Sequence, residues 1–307
     1  MARSDAAPST EKTIPAPKGR VALALALSQI FSAGTHLVGK GVLGSAGTMT
    51  VAVLRFAGAA LVLAPLAWLR PGRARIERRD VPRLLWLGVL AVPLNQGFYL
   101  FGLTRTTPSH AALLYALTPL VVLLLAGRIL REAGLWSKLA GTLVAFLGVV
   151  VILLERGLAH EARALSGDLM VLVAVFAWAL YTVFSKPMLL KYDPMTVSSY
   201  AVVSGSLMGL AVLLLSGRAL PLQPVSGAVW GGIAYLVIGT SVIAYPLWMV
   251  ALRHLEASKV AIATNTQPIL TSLLSWLIYR ERLTPGFFVG AALILGGAAW
   301  VESRKSP

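Results

Sequence analysis

The 307-residue chain is 57% hydrophobic and 13% charged, with 27 Lys and Arg against 12 Asp and Glu, a net charge of +15 and no cysteine. Soluble chains carry about 25% charged residues, so this composition argues against a soluble domain. The missing cysteine excludes disulfides and thiolate metal sites. The positive charge does not point to nucleic acid, because the basic residues lie between apolar runs and form no DNA- or RNA-reading motif.

Ten apolar runs follow one another, and no carboxylate sits in the middle of any of them. A bilayer core of about 30 Å takes roughly 20 helical residues, and barrel strands are far shorter. The reading is therefore an all-α polytopic membrane protein with ten transmembrane helices. A tail over 1–19, rich in Pro, Ser and Lys, is expected to be flexible. The first span, about 20–41, is longer than the apolar core of a cleaved signal and is read as retained. It carries Gln29, Ser32, His36 and Lys40 three or four residues apart, on one face. Such a stripe lines a wet cavity or bonds neighbouring helices, and Lys40, near the end, can also snorkel to the surface.

The second span, 48–69, holds Arg55 a third of the way in. A lone arginine there costs about 2.5–3.5 kcal/mol on insertion scales, so it needs a partner or water. A solute carboxylate, helix-end carbonyls and the membrane surface all remain open. The third span, 82–103, has Asn95, Gln96 and Tyr99 beyond Pro93, which removes a backbone donor and can kink the helix. The fourth, 108–130, presents Tyr115 and Thr118 before Pro119, and the fifth covers 135–154. After a polar linker over 155–166, the sixth span, 167–187, brings Trp178, Tyr181 and Lys186, the last with the same caution as Lys40. The seventh is 195–215. The eighth, 226–251, holds Tyr245 and Trp248 beside Pro246. The ninth, 258–279, has Thr264, Asn265 and Gln267 before Pro268, and the tenth is 285–302, leaving a tail over 303–307.

Aromatic walls suit flat or apolar solutes, whereas Trp68, Trp86, Trp136, Trp230 and Trp300 lie nearer span ends, where interfacial aromatics collect. Gly205 and Gly209, Gly227 and Gly231, and Gly286 and Gly290 have the spacing of close helix packing. Most lysines and arginines fall in the tails and the even-to-odd loops, above all between spans two and three. The positive-inside rule then places both termini in the cytoplasm.

The chain also repeats itself. Pro119, Arg131, Glu132, Gly141 and Gly148 recur at one constant spacing as Pro268, Arg280, Glu281, Gly290 and Gly297. Ala33, Lys40, Leu43, Thr50 and Val51 recur at a slightly shorter one as Ala179, Lys186, Leu189, Thr196 and Val197. Two five-helix units, 20–154 and 167–302, are implied. Five is odd, so the second enters the membrane inverted. Inverted repeats with matched Pro-broken helices place a solute site at the repeat interface. Asn265 stands where the first unit has Ala116, which makes such a pocket asymmetric.

The stretch from Glu281 through Gly290 to Gly297, its looser partner from Glu132 through Gly141 to Gly148, the two prolines and the Trp178, Tyr181, Lys186 pattern resemble the EamA family of the drug/metabolite transporter superfamily. The overall pattern is similar to its YddG-type amino-acid exporters. The resemblance implies a ten-helix exporter of small metabolites, amino acids and aromatic ones among them. The residues expected to touch solute are Gln29, His36, Asn95, Gln96, Tyr99, Tyr115, Trp178, Tyr181, Tyr245, Trp248 and Asn265.

No His-Glu-x-x-His or Gly-x-Ser-x-Gly motif is present, so neither an enzyme nor a catalytic residue is expected, and no cofactor or metal. The expected partners are a small solute and the lipid bilayer of a bacterial inner membrane, with no nucleic acid; the sequence leaves the oligomeric state open, a monomer included. Without a mid-span carboxylate the expected mode is facilitated diffusion or exchange by alternating access. Two alternatives stay open: proton-coupled antiport using His36, whose ordinary pKa is near 6.5, and carriage of phosphorylated sugars, which needs more cavity cations than Lys40, Arg55 and Lys186 provide.

Overall fold

The computed structural model describes residues 17–69, 75–106, 111, 114–155, 164–215, 226–280 and 283–303. The side chains of His36 and Lys40, much of the expected linker, both outermost tails and Glu281 lie outside the described residues. Among these residues the regular structure is helical. We number ten segments: α1 Lys18–Ala46, α2 Thr48–Trp68, α3 Arg78–Leu103, α4 Thr118–Leu130, α5 Leu135–Glu155, α6 Ala164–Lys191, α7 Pro194–Leu215, α8 Gly227–His254, α9 over 257–279, and α10 Pro285–Ser303. Seven of them are long and apolar enough to cross a bilayer, and α4 is a shorter apolar helix.

Local chemistry explains the ends. Gly47, at φ 74°, separates α1 from α2, a backbone region that glycine adopts without penalty. Asp193 starts α7: its carboxylate accepts hydrogen bonds from the Thr196 amide at 3.1 Å and the Thr196 hydroxyl at 2.5 Å. Arg131 and Arg280 close α4 and α9 with φ of 57° and 58°. These left-handed caps occupy matched positions of the repeat, so the duplication is written in the backbone as well as in the letters.

The prolines do more than bend. Around Pro93, residues Leu90–Gly97 of α3 widen into a π-helical segment. Residues Leu236–Ala244 of α8 do the same, at the spacing that relates Ala33 to Ala179. Such widened turns free backbone and side-chain groups for other partners. A turn at 116–117 leads into α4 just before Pro119, and within α9 a 3-10 turn at Ala263–Thr266 precedes Pro268. The helical course is therefore interrupted at the same place in both repeats.

Packing obeys a pseudo-twofold axis. Helices α3 and α4 pack on α6 as α8 and α9 pack on α1; α3 meets α7 as α8 meets α2; α2 meets α7, and α5 meets α10. The last pair shows the inversion most plainly. A Cβ on Gly141 would stand 2.8 Å from Gly297 O, and one on Gly148 would stand 2.5 Å from Gly290 O. Numbers rise along α5 as they fall along α10, so the pair is antiparallel, and each glycine faces the repeat equivalent of the other. Only residues without a side chain allow backbones so close. The close contacts of α3 and α7 run through Gly88 and Gly205. Gly227 and Gly231, by contrast, meet nothing within 4 Å, so their spacing serves no packing among the described residues. The five tryptophans expected at span ends are all well exposed.

Candidate functional site

Two aromatic and amide clusters adjoin each other, the first built within the second repeat and the second spanning both repeats. In the first, between α6 and α8, the Trp178 ring lies 5.2 Å from Tyr181, 5.4 Å from Tyr245 and 5.7 Å from Trp248, and Tyr181 lies 6.2 Å from Tyr245. The Trp178–Tyr245 contact is edge to face, the arrangement favoured by ring quadrupoles. Trp178 keeps partial exposure, whereas Tyr181, Tyr245 and Trp248 are buried. The Tyr181 hydroxyl and the Trp248 indole nitrogen have no hydrogen-bond partner among the described residues, although buried polar groups normally find one.

In the second cluster, Asn95 ties α3 to α6. Its Nδ2 donates to Ala174 O at 2.8 Å and to the Tyr115 hydroxyl, and Gln96 Nε2 donates to Asn95 Oδ1 at 2.6 Å. Tyr115 stands edge-on to Tyr99, with centroids 5.1 Å apart. Tyr99, Tyr115 and Gln96 retain partial exposure and Asn95 is buried. Tyr99 and Tyr245 are repeat equivalents, each placed just after the π-helical segment of its helix. Tyrosine therefore faces the repeat interface from both halves.

At the matching junction of α1 and α9, Gln267 Nε2 donates to Gln29 Oε1 at 3.0 Å, and Thr271 Oγ1 donates to Ala33 O at 3.4 Å. Gln29 is buried, so that part of the stripe on α1 holds helices together. Asn265, in the broken turn of α9, is 1% exposed, and neither of its amide atoms has a partner among the described residues.

Arg55, 3% exposed, reaches α8 from α2. Its Nη2 donates to Thr240 Oγ1 at 3.3 Å and its Nε to Ser241 Oγ at 3.5 Å, with the Phe56 ring 5.9 Å away. Sequence alone left its partners open; the structure turns it inward, away from the surface and onto two hydroxyls of α8.

One end of the bundle is fastened by charges. The Glu132 carboxylate accepts from the Ala257 amide at 2.6 Å and from the amide and hydroxyl of Ser258, so it caps the start of α9. Lys138 lies 3.5 Å from Glu132 and 3.1 Å from Glu256, and Lys259 lies 3.3 Å from Glu256. Lys186 does not snorkel: it is 2% exposed and donates to Leu252 O at 2.7 Å and to Leu255 O, closing the end of α8. Asp80 is buried and accepts from Lys191 at 2.9 Å and Tyr192 at 2.8 Å. None of these contacts was foreseen. Their one sequence signal was the repeated Arg-Glu pair at 131–132 and 280–281, which reads as a loop until the partner helix is known.

A helical polytopic membrane protein built from two inverted repeats, with polar and aromatic groups gathered at their junction, has the architecture of a transporter. The EamA-like transporter family matches residues 19–154 and again 165–302, and the chain belongs to it. It is thus a multi-pass membrane transporter of a small-molecule solute. An uncharacterized transporter of Archaeoglobus fulgidus is 31% identical over 288 residues, 92% of this chain and 97% of the relative. The uncharacterized transporter YyaM of Bacillus subtilis is 27% identical over 87% of this chain and 88% of its own. A probable terminal-alkyne amino-acid exporter of Streptantibioticus cattleyicolor is 28% identical over 87% of this chain and 86% of its own. A solved crystal structure shares the fold, with a TM-score of 0.73 at 22% identity over 94% of this chain and 97% of that one.

Proposed function

We propose that the protein exports amino acids, aromatic ones included, across a bacterial inner membrane by alternating access. The observation that supports this most is the hydrogen bond between Gln96 and Tyr245, which joins the Trp178–Tyr245 aromatic pair of the second repeat to the Asn95, Gln96, Tyr99 and Tyr115 group of the first. Rings stack on an aromatic side chain, and amides and hydroxyls serve an amino-acid headgroup. Residues 20–154 and 167–302 act as the rocking units, joined by 155–166, with the tails 1–19 and 303–307 in the cytoplasm. His36 belongs to the same face of α1 as Gln29; Tyr181 and Trp248 back the Trp178 ring, and Asn265 offers an amide without a partner among the described residues from the broken turn of α9.

Transport runs as facilitated diffusion or exchange. Among the described residues the buried acids are Asp80, Glu132 and Glu256, all near helix ends and all engaged by cations or amides. Carriers driven by protons or sodium commonly hold a carboxylate within the membrane. The proton-coupled alternative rests on His36, and His36→Gln separates the two: exchange without a gradient persists in this variant under our reading. The test of the function is uptake of radiolabelled L-phenylalanine and L-tryptophan by proteoliposomes. Saturable uptake, inhibited by other aromatic amino acids and not by sugar phosphates, is expected. Uptake of sugar phosphates in their place contradicts the reading.

A further inference from the structure

Arg55 differs from the other buried cations. Lys138 faces two carboxylates, and Lys186 faces two helix-end carbonyls. Arg55 has no carboxylate within ion-pairing distance among the described residues, and its two hydrogen bonds, at 3.3 and 3.5 Å, go to neutral hydroxyls. The acids whose side chains lie outside the described residues, Asp5, Glu11, Glu155, Glu161 and Glu281, all belong to tails, loops or a helix end. A guanidinium carries five N–H donors. Here Nη1 donates to none of the described residues.

The surroundings hold this cation without neutralising it. The π-helical turn of α8 lets both the Thr240 and the Ser241 hydroxyl donate to Leu236 O. Their protons are thereby committed, so their oxygens turn to Arg55 as acceptors and fix the plane of the fork. A charge left in that condition within a membrane protein is expensive. A planar fork matches a carboxylate with two parallel N–H···O bonds. Ser241, which holds the fork, stands four residues before Tyr245 on α8, so one face of that helix carries both the Arg55 contact and the aromatic cluster.

We propose that Arg55 receives the carboxylate of the transported solute, so that the carrier selects molecules in which a carboxylate stands beside an aromatic or apolar group. The proposal deepens the amino-acid reading and rests on it. The solute anion completes the coordination of Arg55 on entry, and an anion-binding role explains why no acid faces Arg55 among the described residues: a fixed carboxylate would occupy the fork permanently. A dianionic sugar phosphate finds one cation in this place among the described residues and is a poorer fit than a zwitterion.

The test compares L-phenylalanine with L-phenylalaninamide in purified wild type, Arg55→Gln and Arg55→Lys, by half-saturation of exchange in proteoliposomes and by thermal stabilisation in detergent. Loss of a charge-assisted bidentate contact should weaken L-phenylalanine about 10- to 100-fold in Arg55→Gln. L-Phenylalaninamide, already weak on the wild type, should change by less than about 2-fold, and Arg55→Lys, charged but without the fork, should fall between. Equal losses for acid and amide in Arg55→Gln would overturn the assignment and leave the carrier reading standing. If Arg55→Gln does not fold, the wild type still decides: equal affinity for acid and amide overturns the proposal. Stabilisation of the wild type by chloride, with none by L-phenylalanine, also overturns it. A wild type that moves sugar phosphates and neither aromatic compound instead removes the amino-acid reading itself.

Discussion

At the residue scale, a few polar and aromatic side chains are held in place by partners from other helices. Trp178 makes three ring contacts and keeps partial exposure. Aromatic pairs contribute about 0.5–1.5 kcal/mol each beyond burial, so Trp178→Ala should weaken exchange of L-phenylalanine by roughly 10-fold, read as a rise in half-saturation. Lys186→Met should leave the last carbonyls of α8 unmet. Hydrogen bonds to a charged group are worth about 1.5–3 kcal/mol, so a clear fall in melting temperature in detergent is expected. An unchanged midpoint would contradict the role given to Lys186. The candidate residues were legible as types: Trp, Tyr, Asn and Gln inside apolar runs stand out at once. Their partners were not. Asn95 bonds Tyr115 and Ala174, and Arg55 bonds Thr240 and Ser241, far along the chain. Helical periodicity specifies a face and says nothing about which helix that face meets.

At the scale of elements, the contacts that matter are those in which one repeat handles the ends of the other. Glu132, from the first repeat, caps α9 in the second, beside Lys138 and Glu256. Breaking a buried, paired charge typically costs about 3–5 kcal/mol. Glu132→Gln should therefore loosen this end of the bundle. Because the chain has no cysteine, a single Ala257→Cys, at a position now fully buried, can report it. Its labelling by a water-soluble maleimide should quicken in Glu132→Gln, and an unchanged rate would contradict the fastening. Along α5, Gly148→Leu should clash with α10, since even a Cβ there would meet Gly290 O at 2.5 Å. Overpacking costs about 1–3 kcal/mol, so a lower melting temperature and lower yield are expected. Helix positions were legible from hydropathy because the bilayer sets their length. The π-helical segments of α3 and α8 were only half legible. Pro93 announces the first, whereas the second has no proline within it and depends on the repeat and on tertiary partners. The end of α6 was also misjudged: it continues through Pro187 to Lys191, because a proline near a helix terminus need not stop it.

For the whole molecule, duplication with inversion follows from an odd number of spans per unit. It reappears as antiparallel glycine contacts, paired left-handed caps and paired widened turns. The same architecture brings Ser137 near the start of α5 to Trp300 near the end of α10, joined by a 3.0 Å hydrogen bond. Topology labelling with single cysteines at positions 2 and 306 should find both termini on the cytoplasmic face, as the lysine and arginine distribution demands. The central claim is that two inverted repeats carry an aromatic amino acid without an ion gradient. Its most direct test is counterflow: proteoliposomes loaded with unlabelled L-phenylalanine, with pH, sodium and voltage clamped equal across the membrane, challenged with the radiolabelled compound. The account predicts a transient accumulation of label above equilibrium that needs the internal solute. No counterflow under these conditions, with transport appearing only when a proton gradient is imposed, would contradict it.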